Sequence, residues 1–358
     1  MHSHLTRAWV EVDLGALLRN TAAMAARGTP LLPMIKGNAY GLGLVPVARA
    51  LERASPWGFG VATVSEGRAL RDAGIDRPVV VFTPAWGSEL SEARAARLTP
   101  TFGRPQEILE WHAQGAGAWH LEIDTGMARS GVRWTEVDGL SEALTRCPPQ
   151  GAFTQFLAAE RDDGSLEEQE SRFREALAAL PARPRFVHAE NSAALARRDE
   201  SPWDLARPGI FLYGAGSAAG ARVTPEPVAS VRARIVAVRT VAAGDSVSYD
   251  AEFRARRESR IATAAIGYAD GYRRAFSNKG VALVRGTPVP VAGIVTMDMT
   301  MLDVTGVPCE VGDVATFVGR DGRETITANG AAAVAALSPY ELLTGFGLRL
   351  EHIYREGT

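Results

Sequence analysis

Eight short β-like runs alternate with segments of helical periodicity over the first 213 residues of this 358-residue chain. The runs cover 31–35, 58–63, 78–83, 98–102, 119–123, 152–156, 185–189 and 208–213. Segments 44–53, 64–73 and 166–180 between them carry apolar residues at helical spacing. Eight strand–helix units in succession point to a closed α/β architecture, a (β/α)8 barrel of the TIM type. An open doubly wound sheet is the structural rival. It usually has fewer strands and often carries a Gly-rich fingerprint after the first. Here the first run continues Lys36-Gly37-Asn38-Ala39-Tyr40-Gly41-Leu42-Gly43, without a G-x-G-x-x-G.

The texture changes near Val223, where Pro225 and Pro227 punctuate the chain. Beyond them β-like runs cover 228–238, 260–266, 281–284, 289–295 and 313–318, with turns between and one helix near 326–337. These patterns predict a barrel over 9–224 and a mainly β domain over 225–358, joined by an N-terminal strand within 1–12. Asp13 reads as the N-cap of a helix through Leu18 and Met24.

Composition narrows the function classes. Lys+Arg 39 against Asp+Glu 41 gives a net charge of −2, which argues against a dedicated nucleic-acid surface or a polybasic membrane surface. Two cysteines, Cys147 and Cys309, cannot build a disulfide framework or a four-thiolate zinc site, and no metal site is expected. No apolar run reaches the roughly 18–20 residues of a membrane span. No secretory signal is evident over residues 1–6, so a cytoplasmic setting is expected.

In such a barrel, chemistry sits at the carboxyl ends of the strands. Lys36 lies there, after an apolar run and before a loop with three glycines. A lysine against an apolar wall can lose basicity and act as a nucleophile or base; the bland alternative is one that snorkels to the surface. Arg129, just past the fifth run, offers a fork suited to a carboxylate or phosphate. His188, Asn191 and Ser192 follow the seventh run, and Arg207-Pro208-Gly209-Ile210 opens the eighth. Backbone N–H groups near Gly209, with the Ser192 hydroxyl, could hold a phosphate. Each fragment alone is also ordinary loop chemistry. The second domain holds Gly267-Tyr268-Ala269-Asp270-Gly271 and a Met-rich stretch around Met297-Asp298, which by composition reads as core filler.

Taken in order, these motifs resemble the alanine racemases, from Ala8 to about Tyr354. The specific pieces are Lys36-Gly37-Asn38-Ala39-Tyr40-Gly41, Asp124-Thr125-Gly126-Met127-Ala128-Arg129, Arg207-Pro208-Gly209-Ile210, Gly267-Tyr268-Ala269-Asp270-Gly271 and Met297-Asp298. The resemblance implies a pyridoxal 5′-phosphate enzyme that interconverts L- and D-alanine for peptidoglycan. It implies a head-to-tail homodimer whose active sites each join one barrel to the other copy's β domain. Lys36 would be the covalent anchor of the cofactor and one catalytic base, and Tyr268 of the neighbouring copy the other. Tyr40, Asn191, Ser192, Gly209, Ile210 and Tyr340 would bind the cofactor, and Arg207 would face its pyridine nitrogen. Arg129 and the neighbour's Met297 would meet the substrate, with Asp298 in support.

The roles cohere physically. Racemisation removes a proton from one face of a carbon and returns one to the other, so two groups must flank it. An ordinary tyrosine is a poor base at neutral pH, so positive neighbours must assist Tyr268. An arginine at the pyridine nitrogen does not give up a proton, which implies a short-lived carbanion and disfavours transamination.

Two departures bear on the site. Relatives often carry a lysine, modified to a carbamate, where this chain has Glu122; Glu122 is expected to supply that negative charge and to fix Arg129. A Thr-His-Phe motif becomes Thr154-Gln155-Phe156, and Gln155 can hydrogen-bond but cannot take a proton. Rival readings are a serine or broad-specificity racemase of the same fold, a decarboxylase, and a non-catalytic cofactor-binding protein. Arg207 speaks against the decarboxylase, and the second domain with Tyr268 against the last.

Overall fold

The computed structural model describes residues 6–356 except 116, 217 and 348. The part of the expected N-terminal strand at 1–5 lies outside the described residues.

The chain opens with β1 (Ala8–Asp13) and a helix at Leu14–Ala25. The Asp13 carboxylate caps that helix by accepting from the Ala16 N–H at 2.8 Å. The barrel strands follow: β2 (Phe59–Val61), β3 (Val79–Val81), β4 (Thr99–Phe102), β5 (His120–Asp124), β6 (Val132–Arg133), β7 (Gly151–Phe153) and β8 (Phe186–His188). They pair in parallel in the order β2-β3-β4-β5-β7-β8, with the short β6 also on β5. The strands are buried almost throughout and rich in Val and Phe, as a parallel sheet covered by helices requires.

Two of the eight expected runs differ. Residues 31–35 make only single bridges, Leu31 to Ala206 and Met34 to Gly60. The eighth position is filled by Leu205 and Ala206, which bridge His188 and Leu31, and not by 208–213. Pro208 has no N–H to donate, and from Gly209 the chain coils into tight turns, with Leu212 N–H donating to the Gly209 carbonyl at 2.8 Å. The barrel therefore closes through isolated bridges. The apolar run 208–213 reflects burial, which a strand and a buried turn share.

The second part contains β9 (Ala229–Val241), β10 (Ser246–Val247), β11 (Phe253–Arg254), β12 (Ser259–Ala264), β13 (Val281–Val284), β14 (Thr287–Pro290), β15 (Thr300–Asp303), β16 (Val314–Asp321), β17 (Glu324–Ile326) and β18 (Glu351–Arg355). Its main sheet runs β14-β13-β16-β9-β1-β18, and β9 extends far enough to pair also with β12. β1 lies antiparallel to β9 and parallel to β18. The helix expected near 326–337 spans Ala328–Val334, and a second helix, Pro339–Gly345, follows it. That second helix packs against the loop after residue 35. Among the described residues no helix is long and apolar enough to cross a membrane.

Gly41 is the tightest point of this packing. Its φ is +86°, and a Cβ there would run into the Leu343 carbonyl oxygen. Gly74 has a similar φ of +82° but open space around it. Gly41→Ala should therefore lose more than about 1 kcal/mol in urea denaturation, and clearly more than Gly74→Ala, which bears backbone strain alone. Equal losses would show that the two parts do not press together at Gly41.

Candidate active site

A cavity of about 720 Å³ opens at the carboxyl ends of the barrel strands. Eleven of the residues singled out above line it: Lys36, Tyr40, Glu122, Arg129, Gln155, Asn191, Ser192, Arg207, Gly209, Ile210 and Tyr340. They come from separate strands and from the Pro339–Gly345 helix. Tyr268, Met297 and Asp298 are not among its lining residues; they stand on the β domain, with Tyr268 41% and Met297 51% exposed.

Arg207 is the most enclosed of these groups. Its Nη1 donates to His188 Nδ1 at 2.7 Å and to the His188 carbonyl at 2.9 Å. Its Nη2 donates to the Thr154 carbonyl at 2.7 Å, the Ala189 carbonyl at 3.1 Å and Gln155 Oε1 at 3.2 Å. The guanidinium also lies over Phe153, 5.2 Å from the ring centroid. Among the described residues nothing accepts from Nε, which leaves one donor for an acceptor in the cavity. Burial draws Arg207 down to about 9, with Glu122 and Glu190 opposing that shift, so it stays cationic at neutral pH.

Arginine only donates, so His188 Nδ1 must accept and His188 must carry its proton on Nε2. That proton points to His120 Nδ1, 2.9 Å away. Both imidazoles are held neutral. Burial is the main cause, with the Arg207 charge adding to it, and His120 is pushed down to about 3. His120 at the start of β5 is a neighbour in this network that the sequence reading missed; in a strand that also holds Glu122 and Asp124 it gave little signal.

Lys36 begins a tight turn, Lys36–Tyr40, closed by Gly41. Burial lowers the basicity of its amine, Arg129 and Arg207 lower it further, and Glu66 opposes them. The Tyr40 ring stacks on Tyr213 at 4.5 Å, and the Tyr213 hydroxyl donates to the Met34 carbonyl at 2.9 Å. A Cβ at Gly209 would strike the Tyr40 hydroxyl, so only glycine lets the two approach. Ser192 Oγ accepts from the Gly209 N–H at 2.8 Å and the Phe211 N–H at 3.3 Å, while Asn191 caps the short helix that follows. Tyr340, on its own capped helix, has its hydroxyl pushed up to about 12, chiefly by burial.

Glu122 does not make the expected bond. Its Oε1 accepts from the Ser130 hydroxyl at 2.8 Å, and among the described residues its buried Oε2 has no hydrogen-bond partner. Among the described residues Arg129 makes no hydrogen bond to Glu122 and acts on it through its charge. Gln155 turns to Arg207 with its oxygen and to the Phe156 carbonyl with its nitrogen.

On the β domain, Asp270 holds the turn that displays Tyr268. Its side chain is fully buried, accepts from the Gly267 N–H at 2.9 Å and from Arg7, and forms an ion pair with Arg349 at 3.2 Å. Arg349 also reaches Asp298 at 2.7 Å, and the Tyr268 and Ala269 N–H groups donate to the carbonyls of Thr296 and Met297. One buried carboxylate thus ties together the segments bearing Tyr268 and Met297.

The depressed histidines give a pH signature. Both folded values lie below the unfolded value near 6.5, so the unfolded chain binds more protons below about 6.5, for His120 down to about 3. The stability they contribute is complete above 6.5 and is lost as pH falls through that window, about 2 kcal/mol for His120 by pH 5. Nitrogen NMR should find both rings neutral, with His188 protonated on Nε2, from pH 8 down to acid unfolding. A ring titrating near 6.5 in the folded protein would contradict this.

Comparison with known proteins agrees along the whole chain. The profile of the alanine racemase N-terminal domain matches residues 12–217, and that of the C-terminal domain residues 228–354. The alanine racemase of Sorangium cellulosum is 38% identical over 97% of this chain and 98% of its own. That of Deinococcus deserti is 37% identical over 97% and 99%. Among solved structures, the alanine racemase from Bacillus anthracis with bound L-Ala-P superposes with a TM-score of 0.90 at 32% identity, covering 98% of this chain and 96% of that one. The one from Bartonella henselae with covalently bound pyridoxal phosphate gives 0.89 at 27% identity, covering 98% and 100%. Both halves of the chain, in the same order as in these relatives, place it in the alanine racemase family.

Proposed function

We propose that this protein is an isomerase that interconverts L- and D-alanine with pyridoxal 5′-phosphate. The observation that carries the reading is the convergence of Lys36 and Arg207 on one cavity, with seven more of the family-implied residues around it. Three features fit the cofactor. The Lys36 amine has lowered basicity, as an amine that must attack a carbonyl needs. Arg207 retains a free Nε donor for a ring nitrogen. Ser192, Gly209 and Tyr40 form a close-packed polar cradle at the phosphate end.

In this reading Lys36 holds the cofactor, Arg207 faces its ring nitrogen, and Tyr40, Asn191, Ser192, Gly209, Ile210 and Tyr340 surround the phosphate. When bound, pyridoxal phosphate supplies the electron sink that makes the α-proton of an amino acid removable. Arg207, cationic at neutral pH, would donate to the ring nitrogen and would not give up its proton to it. Arg129 orients the substrate carboxylate. Lys36 moves a proton on one face of the α-carbon.

Tyr268, lent by a second copy, moves a proton on the other face. Support for that copy comes from exposed apolar groups on both parties. Trp86 (77% exposed), Met127 and Leu157 follow β3, β5 and β7 at the cavity's end of the barrel; Tyr249, Met297 and Met299 lie on the β domain. Head-to-tail pairing of two chains would cover both. Met297, with Tyr340, would keep the pocket small enough to favour alanine, and Asp298 would steady that segment through Arg349. The same reading assigns the product to peptidoglycan supply in the cytoplasm.

Racemisation of L-alanine, L-serine and L-lysine by the purified protein tests the substrate; alanine should be turned over fastest. Lys36→Ala should abolish the long-wavelength absorbance of the bound cofactor. Tyr268→Phe should slow α-hydrogen exchange with solvent by roughly 10²–10⁴-fold, and for one enantiomer of alanine far more than for the other. Equal losses for both would argue against a base on each face. Glu122→Gln, by removing a negative charge beside Arg129, should lower turnover; full activity would take Glu122 out of the site's machinery.

A further inference from the structure

The turn that presents Lys36 has an unusual backbone. Gly37, Asn38, Ala39 and Tyr40 have φ of +63°, +54°, +54° and +56°, so four successive residues are left-handed and three of them are not glycine. Side-chain sterics disfavour that conformation, so something outside the turn must hold it. The Ala39 N–H donates to the Ile35 carbonyl at 2.8 Å and the Gly41 N–H to the Gly37 carbonyl at 2.9 Å. The first two N–H groups go elsewhere. Gly37 and Asn38 donate to Glu66 Oε1 at 2.7 and 3.2 Å. The other oxygen of the same carboxylate accepts from Ala62 at 2.8 Å and Thr63 at 3.4 Å. Thr63 completes a capping box by accepting from the Glu66 N–H.

We propose that Glu66 is a positioning residue for Lys36, its carboxylate clamping the left-handed turn that aims the amine into the cavity. This rests on Lys36 being the reactive amine. The four N–H groups fill the carboxylate's acceptor sites. An amide of the same shape would turn an NH2 towards one pair of donors and break that side of the clamp. Loss of the clamp frees the turn to relax towards ordinary φ values, and the Lys36 stem moves with it. Misplacement of a reacting group by about 1 Å can cost on the order of 100-fold in rate.

The capping box allows the positioning role to be separated from a merely structural one. Thr63→Ala breaks the box from its other end and leaves the bonds to Gly37 and Asn38 in place. Both Glu66→Gln and Thr63→Ala should lower the melting temperature of the holoenzyme. Only Glu66→Gln should speed amide exchange at Gly37 and Asn38, by roughly tenfold or more, and lower kcat for L-alanine by roughly 10–100-fold with KM little changed. Glu66→Asp keeps the charge on a shorter stem and should fall between, and it serves if Glu66→Gln does not fold. Unchanged exchange at Gly37 and Asn38, or a kcat loss equal to that of Thr63→Ala, overturns the proposal. Full turnover in Lys36→Ala would instead strike the functional reading, which the exchange rates do not touch.

Discussion

Arg207 is almost wholly enclosed by the barrel, yet it stays cationic at neutral pH. Much of the site follows from that. Its two terminal nitrogens need acceptors, and they find three carbonyls, a histidine nitrogen and an amide oxygen. Those acceptors sit after β7 and on or after β8, so the cation fixes how these strands end. The histidine facing it must be neutral and of one tautomer, and that choice passes to the next histidine on β5. Glu122 and Glu190 stay close enough to sustain the charge. A lysine could move, or lose its proton, and would impose none of this.

The β domain solves a related problem with the opposite sign. Asp270 is a buried carboxylate at the head of the Tyr268 turn, and it is stable there because an N–H and two arginines converge on it. Arg7 comes from the segment before β1 and Arg349 from the segment before β18. The two ends of the chain thus meet at the turn, and they also run side by side as β1 and β18. In both halves a buried charge gathers distant segments: Arg207 at the cavity wall, and Asp270 in the turn that carries the partly exposed Tyr268.

The barrel was legible because its period is local. Alternating apolar runs and helical stripes predict strands at β2, β3, β4, β5, β7 and β8 within a few residues. The eighth run was misplaced because apolar residues in 208–213 signal burial, and burial does not distinguish a strand from a coiled turn beside a proline. The short β6 and the strand pair β10–β11 have too few residues to set up a period. The lining residues of the cavity were found through motifs, since Lys36, Arg129 and Arg207 are chemically conspicuous. Glu66 and His120 were not found: one looks like any helix-capping glutamate, and the other like a polar residue inside a strand.

Sequence alone determined the alternation of elements, the change of texture near Val223, and the residue types available for acid–base and anion chemistry. These depend on side chains a few positions apart, which share a strand face or a helix stripe. Only the tertiary structure decided that Glu122 bonds Ser130 and not its neighbour in sequence Arg129, that Gln155 faces Arg207, and that Tyr268 stands outside the cavity of its own chain. Such pairings turn on distances between segments and on which charge is denied water, and neither is a property of any stretch of chain taken by itself.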